Sequence, residues 1–351
     1  MVGIHEWSPM RRLIVIGLAL SMLMSFAAAV NARPADAVVP DPVVRLAGAN
    51  RFDTAAQLSA RGYADGAAVA YIATGRDFPD ALAAGPAAGF EGGPLLLTEK
   101  SSLPGATAAE IARLAGLGLD RIVIVGGEGA VSAGVEAALG TYVTTVERVS
   151  GTNRYSTAAN VSNAVFTDAD TVVLAVGNNF PDALGAGPLA IKLGAPILLT
   201  DTAALPAETV AELAFQNPSD VIIVGGTAVV SQDVEDALIL SGYNVIRLAG
   251  ANRFETAKEI SDFRNPAPAD LYGVVYVAVG NNYPDALGSG PVANVDDAPL
   301  LLVNTDDIPQ PTATELNRLQ PSQIVIVGGT AVVSDAVAAL LAGYVVTPPP
   351  A

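Results

Sequence analysis

Three aspartates, three arginines and three glycine pairs recur at matching positions, and each type could do chemistry. Asp80, Asp182 and Asp285 each follow a proline, with Asp77, Asn179 and Asn282 three positions earlier. That spacing suits an N-cap acceptor followed by a carboxylate at N3 that reaches back to the cap amide. It also suits a carboxylate facing the positive end of a helix dipole. The same groups could ligate polymer hydroxyls or a cation, or serve as an acid–base pair. Triplication weighs against catalysis, because one chain rarely needs three copies of a reaction centre. Arg51, Arg154 and Arg253 follow Asn50, Asn153 and Asn252. A guanidinium offers a planar fork to phosphate or carboxylate; the structural alternative is a buried Arg–Asp bridge within each unit, to the Pro-Asp aspartate. Gly126-Gly127, Gly225-Gly226 and Gly328-Gly329 are either strand-to-helix turns or sources of backbone N–H groups for an anion. Gly127-Glu128-Gly129 is a weak match to a dinucleotide fingerprint, since the third glycine is missing and the other units have Thr-Ala. Thr54, Thr157 and Thr256 are expected as helix-start hydroxyls. Arg45, Arg148 and Arg247 are expected on strands, as structural or interface residues.

Other chemistries are excluded by composition. There is no cysteine, and the single histidine is His5. Disulfides, zinc–thiolate sites and Cys nucleophiles are therefore absent. Beyond His5, no Ser-His-Asp triad can form. No cofactor or metal site is expected, including at Asp296-Asp297 and Asp306-Asp307, which occur in the third unit alone.

The elements that must position these residues are written three times. The block R-x-x-G-x-N-R-[FY]-x-T-A begins at Arg45, Arg148 and Arg247. The block [FY]-P-D-A-L begins at Phe78, Phe180 and Tyr283. An apolar run follows Pro94, Pro196 and Pro299, and then V-G-G after a further apolar run. Four landmarks in fixed order at one long period mark an internal repeat. The short continuous runs Val69–Thr74, Leu95–Thr98 and Ile122–Val125 predict strands buried on both faces of a parallel sheet. Helices are predicted over Arg51–Ala60, Asp80–Phe90, Gly105–Leu117 and Ser132–Leu139. The predicted fold class is α/β: three tandem, compact three-layer modules with short parallel sheets, of flavodoxin or Toprim type. They are expected to pack together, with pseudo-threefold symmetry one arrangement open to them. Expected boundaries are 43–146, 147–245 and 246–347, with a strand shared at each junction.

The chain has 351 residues, 51% hydrophobic and 5% aromatic, and a formal net charge of −17. That balance argues against nucleic-acid binding and against electrostatic attachment to anionic lipid. Arg11 and Arg12 precede an apolar run, and Val30-Asn31-Ala32 fits a signal-peptidase site. A cleaved leader over 1–32 is expected, with Ala37 a second possible cut and retention as an anchor the alternative. An extended segment over 33–42 and a Pro-rich tail over 348–351 complete the expected layout, with no stable membrane insertion after cleavage.

The repeated blocks resemble the cell wall-binding repeat 2 family, over Arg45 to about Val346. The resemblance implies a secreted, wall-associated protein carrying three tandem modules that hold noncovalently to an anionic wall polymer, teichoic-acid-like or another acidic glycan. Family members often carry an amidase, protease or other effector beside the repeats. Here the repeats fill the chain beyond the leader, so a non-enzymatic anchor is expected. The candidate polymer-binding set is Asn50, Arg51, Asp80, Gly126 and Gly127, with their counterparts in the second unit (Asn153, Arg154, Asp182, Gly225, Gly226) and the third (Asn252, Arg253, Asp285, Gly328, Gly329). The alternatives are a self-assembling surface-layer or adhesin component, and a carboxylate-dependent glycan hydrolase.

Overall fold

The computed structural model describes residues 41–179, 181–266, 273–282 and 284–347. The expected leader, residues 33–40 of the extended segment and the tail over 348–351 lie outside the described residues.

Strand β1 (Val43–Leu46) and helix α1 (Arg51–Gly62) open the chain. The first sheet follows with β2 (Val69–Thr74), α2 (Pro79–Phe90), β3 (Leu95–Thr98), α3 (Gly105–Ala115), β4 (Arg121–Val125), α4 (Ala133–Leu139) and β5 (Thr145–Val149). The second repeat runs through α5 (Arg154–Val165), β6 (Thr171–Val176), α6 (Ala186–Lys192), β7 (Ile197–Thr200), α7 (Ala207–Gln216), β8 (Asp220–Val224), α8 (Gln232–Leu240) and β9 (Asn244–Leu248). The third runs through α9 (Arg253–Arg264), β10 (Val274–Val279), α10 (Pro284–Leu287), α11 (Ser289–Val295), β11 (Leu300–Val303), α12 (Gln310–Leu319), β12 (Gln323–Val327) and α13 (Asp335–Ala342). The continuous apolar runs leave no polar face, so β2, β3 and β7 are buried throughout, covered on both sides by helices. The α/β fold in three repeated modules is as the sequence predicts.

All pairings are parallel, in three four-stranded sheets ordered β3-β2-β4-β5, β7-β6-β8-β9 and β11-β10-β12-β1. The strand that opens each repeat thus belongs to the sheet of the preceding module. β5 lies beside β4, with Arg148 opposite Ile124. β9 lies beside β8, with Arg247 opposite Ile223. The third module has no following strand within the described residues, and β1 fills the place, with Arg45 opposite Ile326. Sheet boundaries therefore sit one strand later than repeat boundaries, and the chain closes into a ring.

The opening arginines pin this exchange, as strand and interface residues. Arg148 donates to Gly126 O (2.7 Å) and pairs with Glu136. Arg247 donates to Gly225 O and Val230 O and pairs with Glu235. Arg45 donates to Gly328 O and Val333 O.

The Pro-Asp-Ala-Leu segments meet at the centre. A small void there is lined by Leu82, Leu184 and Leu287, with Gly85, Gly187 and Gly290. A Cβ on Gly187 would stand 3.4 Å from Gly290 Cα, so glycine permits the closest approach. Three equivalent residues around one point give the modules a pseudo-threefold arrangement. The central helix is continuous in the first module, where Ala83 stands. It is shorter or broken where Gly185 and Gly288 take that position, consistent with the roughly 1 kcal/mol helix penalty of glycine. Charged side chains tie the modules peripherally: Arg61 of α1 reaches Tyr276 Oη (3.1 Å) and Asp296 (3.0 Å), and Lys192 reaches Asp297.

Candidate functional site

Each repeat opens with a strand, a Gly-x-Asn turn and a helix. Asn50 and Asn252 cap their helices by accepting from the N2 and N3 amides, and Asn153 forms a capping box with Ser156. The buried threonines sit one turn further in. Thr54, Thr157 and Thr256 accept from the loop amides of Gly48 (3.2 Å), Gly151 (3.0 Å) and Gly250 (3.1 Å), locking the turn to the helix. With the cap fixed, the next residue projects its guanidinium toward the C-terminal end of the module's own first sheet strand. Arg51 donates to Gly75 O, Arg154 to Gly177 O (2.5 Å) and Arg253 to Gly280 O (2.6 Å). Only glycine fits there: a Cβ on Gly75, Gly177 or Gly280 would stand 3.0–3.1 Å from the arginine Cδ and closer still to the neighbouring aromatic ring.

The aspartates face the glycine turns. Gly126, Gly225 and Gly328 have φ of 114°, 107° and 111°, which a side chain would strain. A Cβ on Gly126 would stand 2.5 Å from Asp80 Oδ2, and one on Gly328 would stand 3.2 Å from Asp285 Oδ2. The capping-box expectation for these aspartates fails. Helix α2 is capped at Phe78 without a side-chain bond, which places Asp80 at N2, and Asp77 accepts from Phe78 N instead. Asp182 precedes α6 altogether, in a run of turns. Burial pushes the Asp80 carboxyl up to about 6, Asp77 adds to the rise and Arg154 opposes it. Burial also raises Asp285, while the Thr54 hydroxyl and the Arg51 guanidinium hold the rise back.

Those partners lie in the next module. Arg154 of the second repeat acts on Asp80 of the first, and Arg51 of the first acts on Asp285 of the third. The Arg–Asp bridge expected within each unit is therefore replaced at these two junctions by an opposition between modules, because the guanidinium is drawn to its own strand-end carbonyl. A cleft of ≈180 Å³ between third and first modules shows the composition: Asn50, Arg51 and Thr54 on one side, Asn282, Asp285 and Gly329 on the other. Between first and second modules, Arg154 lies 6.0 Å from the Phe78 ring centre. Between second and third, Gly185 after Asp182 packs on Ala257 and Ile260 of the Arg253 helix, as Gly288 packs on Ala55 of the Arg51 helix.

The glycine pairs divide the work. Gly126, Gly225 and Gly328 donate their amides to Val149 O, Leu248 O and Leu46 O. The expectation that these N–H groups hold an anion is overturned, because the incoming strand consumes them. Gly127, Gly226 and Gly329 are different. Their amides have no protein acceptor among the described residues, and a Cβ at each would meet open space. Sequence reasoning missed Gly75, Gly177 and Gly280, although all three precede the Pro-Asp blocks at one spacing. It also missed a buried glutamate in each module. Glu110 and Glu315 accept from Ser59 and Ser261 and pair with Arg113 and Arg318, tying the module's opening helix to the helix that precedes its Val-Gly-Gly strand. Among the described residues no group of three or more His, Cys, Asp or Glu is arranged to hold a metal ion.

Three parallel α/β modules in a ring, each repeat supplying a guanidinium, a carboxylate and an open glycine amide, define a multi-site repeat scaffold. The chain belongs to the family described as Cell wall binding domain 2 (CWB2), whose model matches residues 45–136, 148–235 and 247–338. It is similar to N-acetylmuramoyl-L-alanine amidase LytC of Bacillus subtilis (strain 168), 31% identical over 310 residues, which is 88% of this chain and 60% of that protein. It is also similar to the Amidase enhancer of the same organism, 34% identical over 198 residues, which is 56% of this chain and 26% of that one. Among solved structures, Cwp6 from Clostridium difficile superposes with a TM-score of 0.80 at 25% identity, over 91% of this chain and 51% of that one. Cwp8 from the same organism superposes at 0.76 and 30% identity, over 87% and 52%. The chain thus spans about half the length of these solved relatives. The resemblance read from the repeated blocks is borne out, and the repeats are cell wall binding modules.

Proposed function

We propose that this protein is held noncovalently at the bacterial cell wall by an anionic wall polymer that runs through the module junctions. It acts there as an anchor without hydrolytic activity, and is exported by its leader. The observation that carries this reading is the cleft between third and first modules, where a fixed arginine, Arg51, and the open second glycine, Gly329, line one cavity; the repeat supplies the same residue types at the other two junctions. Together they offer a charge-assisted fork and a backbone donor to one phosphate or carboxylate. Three weak sites on one rigid ring gain by effective concentration, by roughly 10²–10⁴ when one polymer engages all of them. The relatives' names support the wall as the location. With no Cys and with His5 as its one His, the chain has no Cys–His or Ser–His pair to place at the junctions.

The test is binding of the full chain to linear poly(glycerol phosphate), compared with a neutral glycan of similar length. The expected result is binding to the polyanion alone, falling roughly 10²-fold or more when Arg51, Arg154 and Arg253 are all changed to Gln. Salt is the second readout. With a net charge of −17, modest salt screens the global repulsion and leaves binding unchanged or stronger. A steep, monotonic loss with salt, or binding that survives the triple change, overturns the proposal.

A further inference from the structure

The three junctions share a motif and differ in charge. At the junction of first and second modules, Asp77 stands on the loop before Pro79, where the other two carry Asn179 and Asn282. Glu128 follows the glycine pair there, where the others have Thr227 and Thr330. On the far side of Arg154, Tyr155 donates to Asp201 Oδ1 (2.5 Å); the equivalent of Asp201 in the third module is Asn304. The first module has Glu99 at this place, but Arg76 neutralises it in an ion pair.

The consequence falls on Asp80. Its carboxylate has no hydrogen-bond donor among the described residues and lies against the Gly126 turn. The charged groups acting on it are Asp77 from its own loop and Arg154 from the next module. At the junction of third and first modules the aspartate instead faces the Thr54 hydroxyl and Arg51, with neutral Asn282 in the same cleft. Two carboxylates beside one guanidinium leave little net attraction for an incoming anion, whereas one carboxylate leaves the guanidinium's fork available.

We infer that Asp77 sets the specificity of the junction between first and second modules, so that at neutral pH the ring takes an anionic polymer chiefly through the other two junctions and engages this one more strongly once the buried Asp80 carboxyl is neutral. The inference rests on the wall-polymer reading. The Asp77 side chain is exposed and its one bond is accepted from Phe78 N. An asparagine oxygen accepts the same bond, so Asp77→Asn preserves the fold.

The experiment is calorimetric titration of the full chain with linear poly(glycerol phosphate) at pH 7.5 and pH 5.0. It compares the unaltered protein, Asp77→Asn and Asn282→Asp. The unaltered protein should bind several-fold more tightly at pH 5.0. Asp77→Asn should bind several-fold more tightly at pH 7.5 and depend less steeply on pH, because burial still raises the Asp80 carboxyl. Asn282→Asp should bind several-fold more weakly at pH 7.5 and depend more steeply on pH. If the unaltered protein binds while Asp77→Asn matches it at both pH values, the inequivalence is refuted and the wall-polymer reading stands. If the unaltered protein binds at neither pH, both fall together.

Discussion

At the scale of single residues, Asp80 costs the folded chain stability at neutral pH. Its carboxyl titrates near 6 in the fold, mainly through burial, against an ordinary value of 3.8. The folded state therefore holds a proton more tightly than the unfolded chain. The stabilisation is complete below the unfolded value and disappears as pH rises through about 6. Asp80→Asn removes the ionisation and should stabilise the protein by about 1–2 kcal/mol at pH 7.5, allowing for the partial exposure of the group. Below about pH 4 the gain should vanish. Urea unfolding of parent and variant at pH 7.5 and pH 3.8 checks this, and equal gains at both values would count against it. Such a strained group was half legible in the sequence. Its triplication and position after proline were plain, and a capping role was the natural local reading. That reading failed because the helix is capped at Phe78 without a side-chain bond, while the guanidinium that acts on Asp80 comes from the next module, at Arg154, a relation no local spacing encodes.

At the scale of elements, the informative strand is the first of each repeat. Strands, helices and their alternation followed from continuous apolar runs and proline or serine starts. Membership of a sheet did not, because β5 reads equally as an end or a beginning. The pairings settle it: β5 completes the first sheet, and β1 completes the third. A fragment over 43–146 keeps β1 without its partner β12 and cuts β5 before Arg148 and Val149, losing the Arg148 bond to Gly126 O. A fragment over 49–150 keeps four complete strands with α1 packed on them. The second should melt cooperatively and resist trypsin, while the first should show no cooperative transition. Two fragments that melt alike would mean that the strand exchange contributes little to the module.

At the scale of the whole molecule, composition told of a large acidic protein with ample core, and period told of three modules. Neither revealed that the modules share one ring, because ring closure joins residues at opposite ends of the described chain, with Val43 beside Ile324. Symmetry was an open possibility from repetition alone. What fixed it were the small residues at Gly85, Gly187 and Gly290, which let three segments approach one axis. The three copies nevertheless diverge at the junctions, and the sequence recorded that divergence in Asp77 and Glu128 without the geometry that gives it meaning.

The proposed anchor would have to carry tension, and the place of β1 makes its response directional. β1 is the edge strand of its sheet, held by β12 alone, and it leads straight into the cap, guanidinium and threonine that form one side of a junction. A pull applied at Asp41 loads that strand first. Drawn along its axis, the ladder bonds share the load; drawn sideways, they break in succession. Once β1 leaves, Asn50 and Arg51 lose their register against Asp285 and Gly329, and one of the proposed polymer sites should open before any module unfolds. A pull applied at Thr347 enters through α13 and does not load β1 first, so the Asn50 and Arg51 side of the cleft should keep its place longer. Optical-tweezer extension of the chain bound to immobilised poly(glycerol phosphate) should give a lower detachment force from the Asp41 end than from the Thr347 end, and equal forces would show that the strand clasp bears no load.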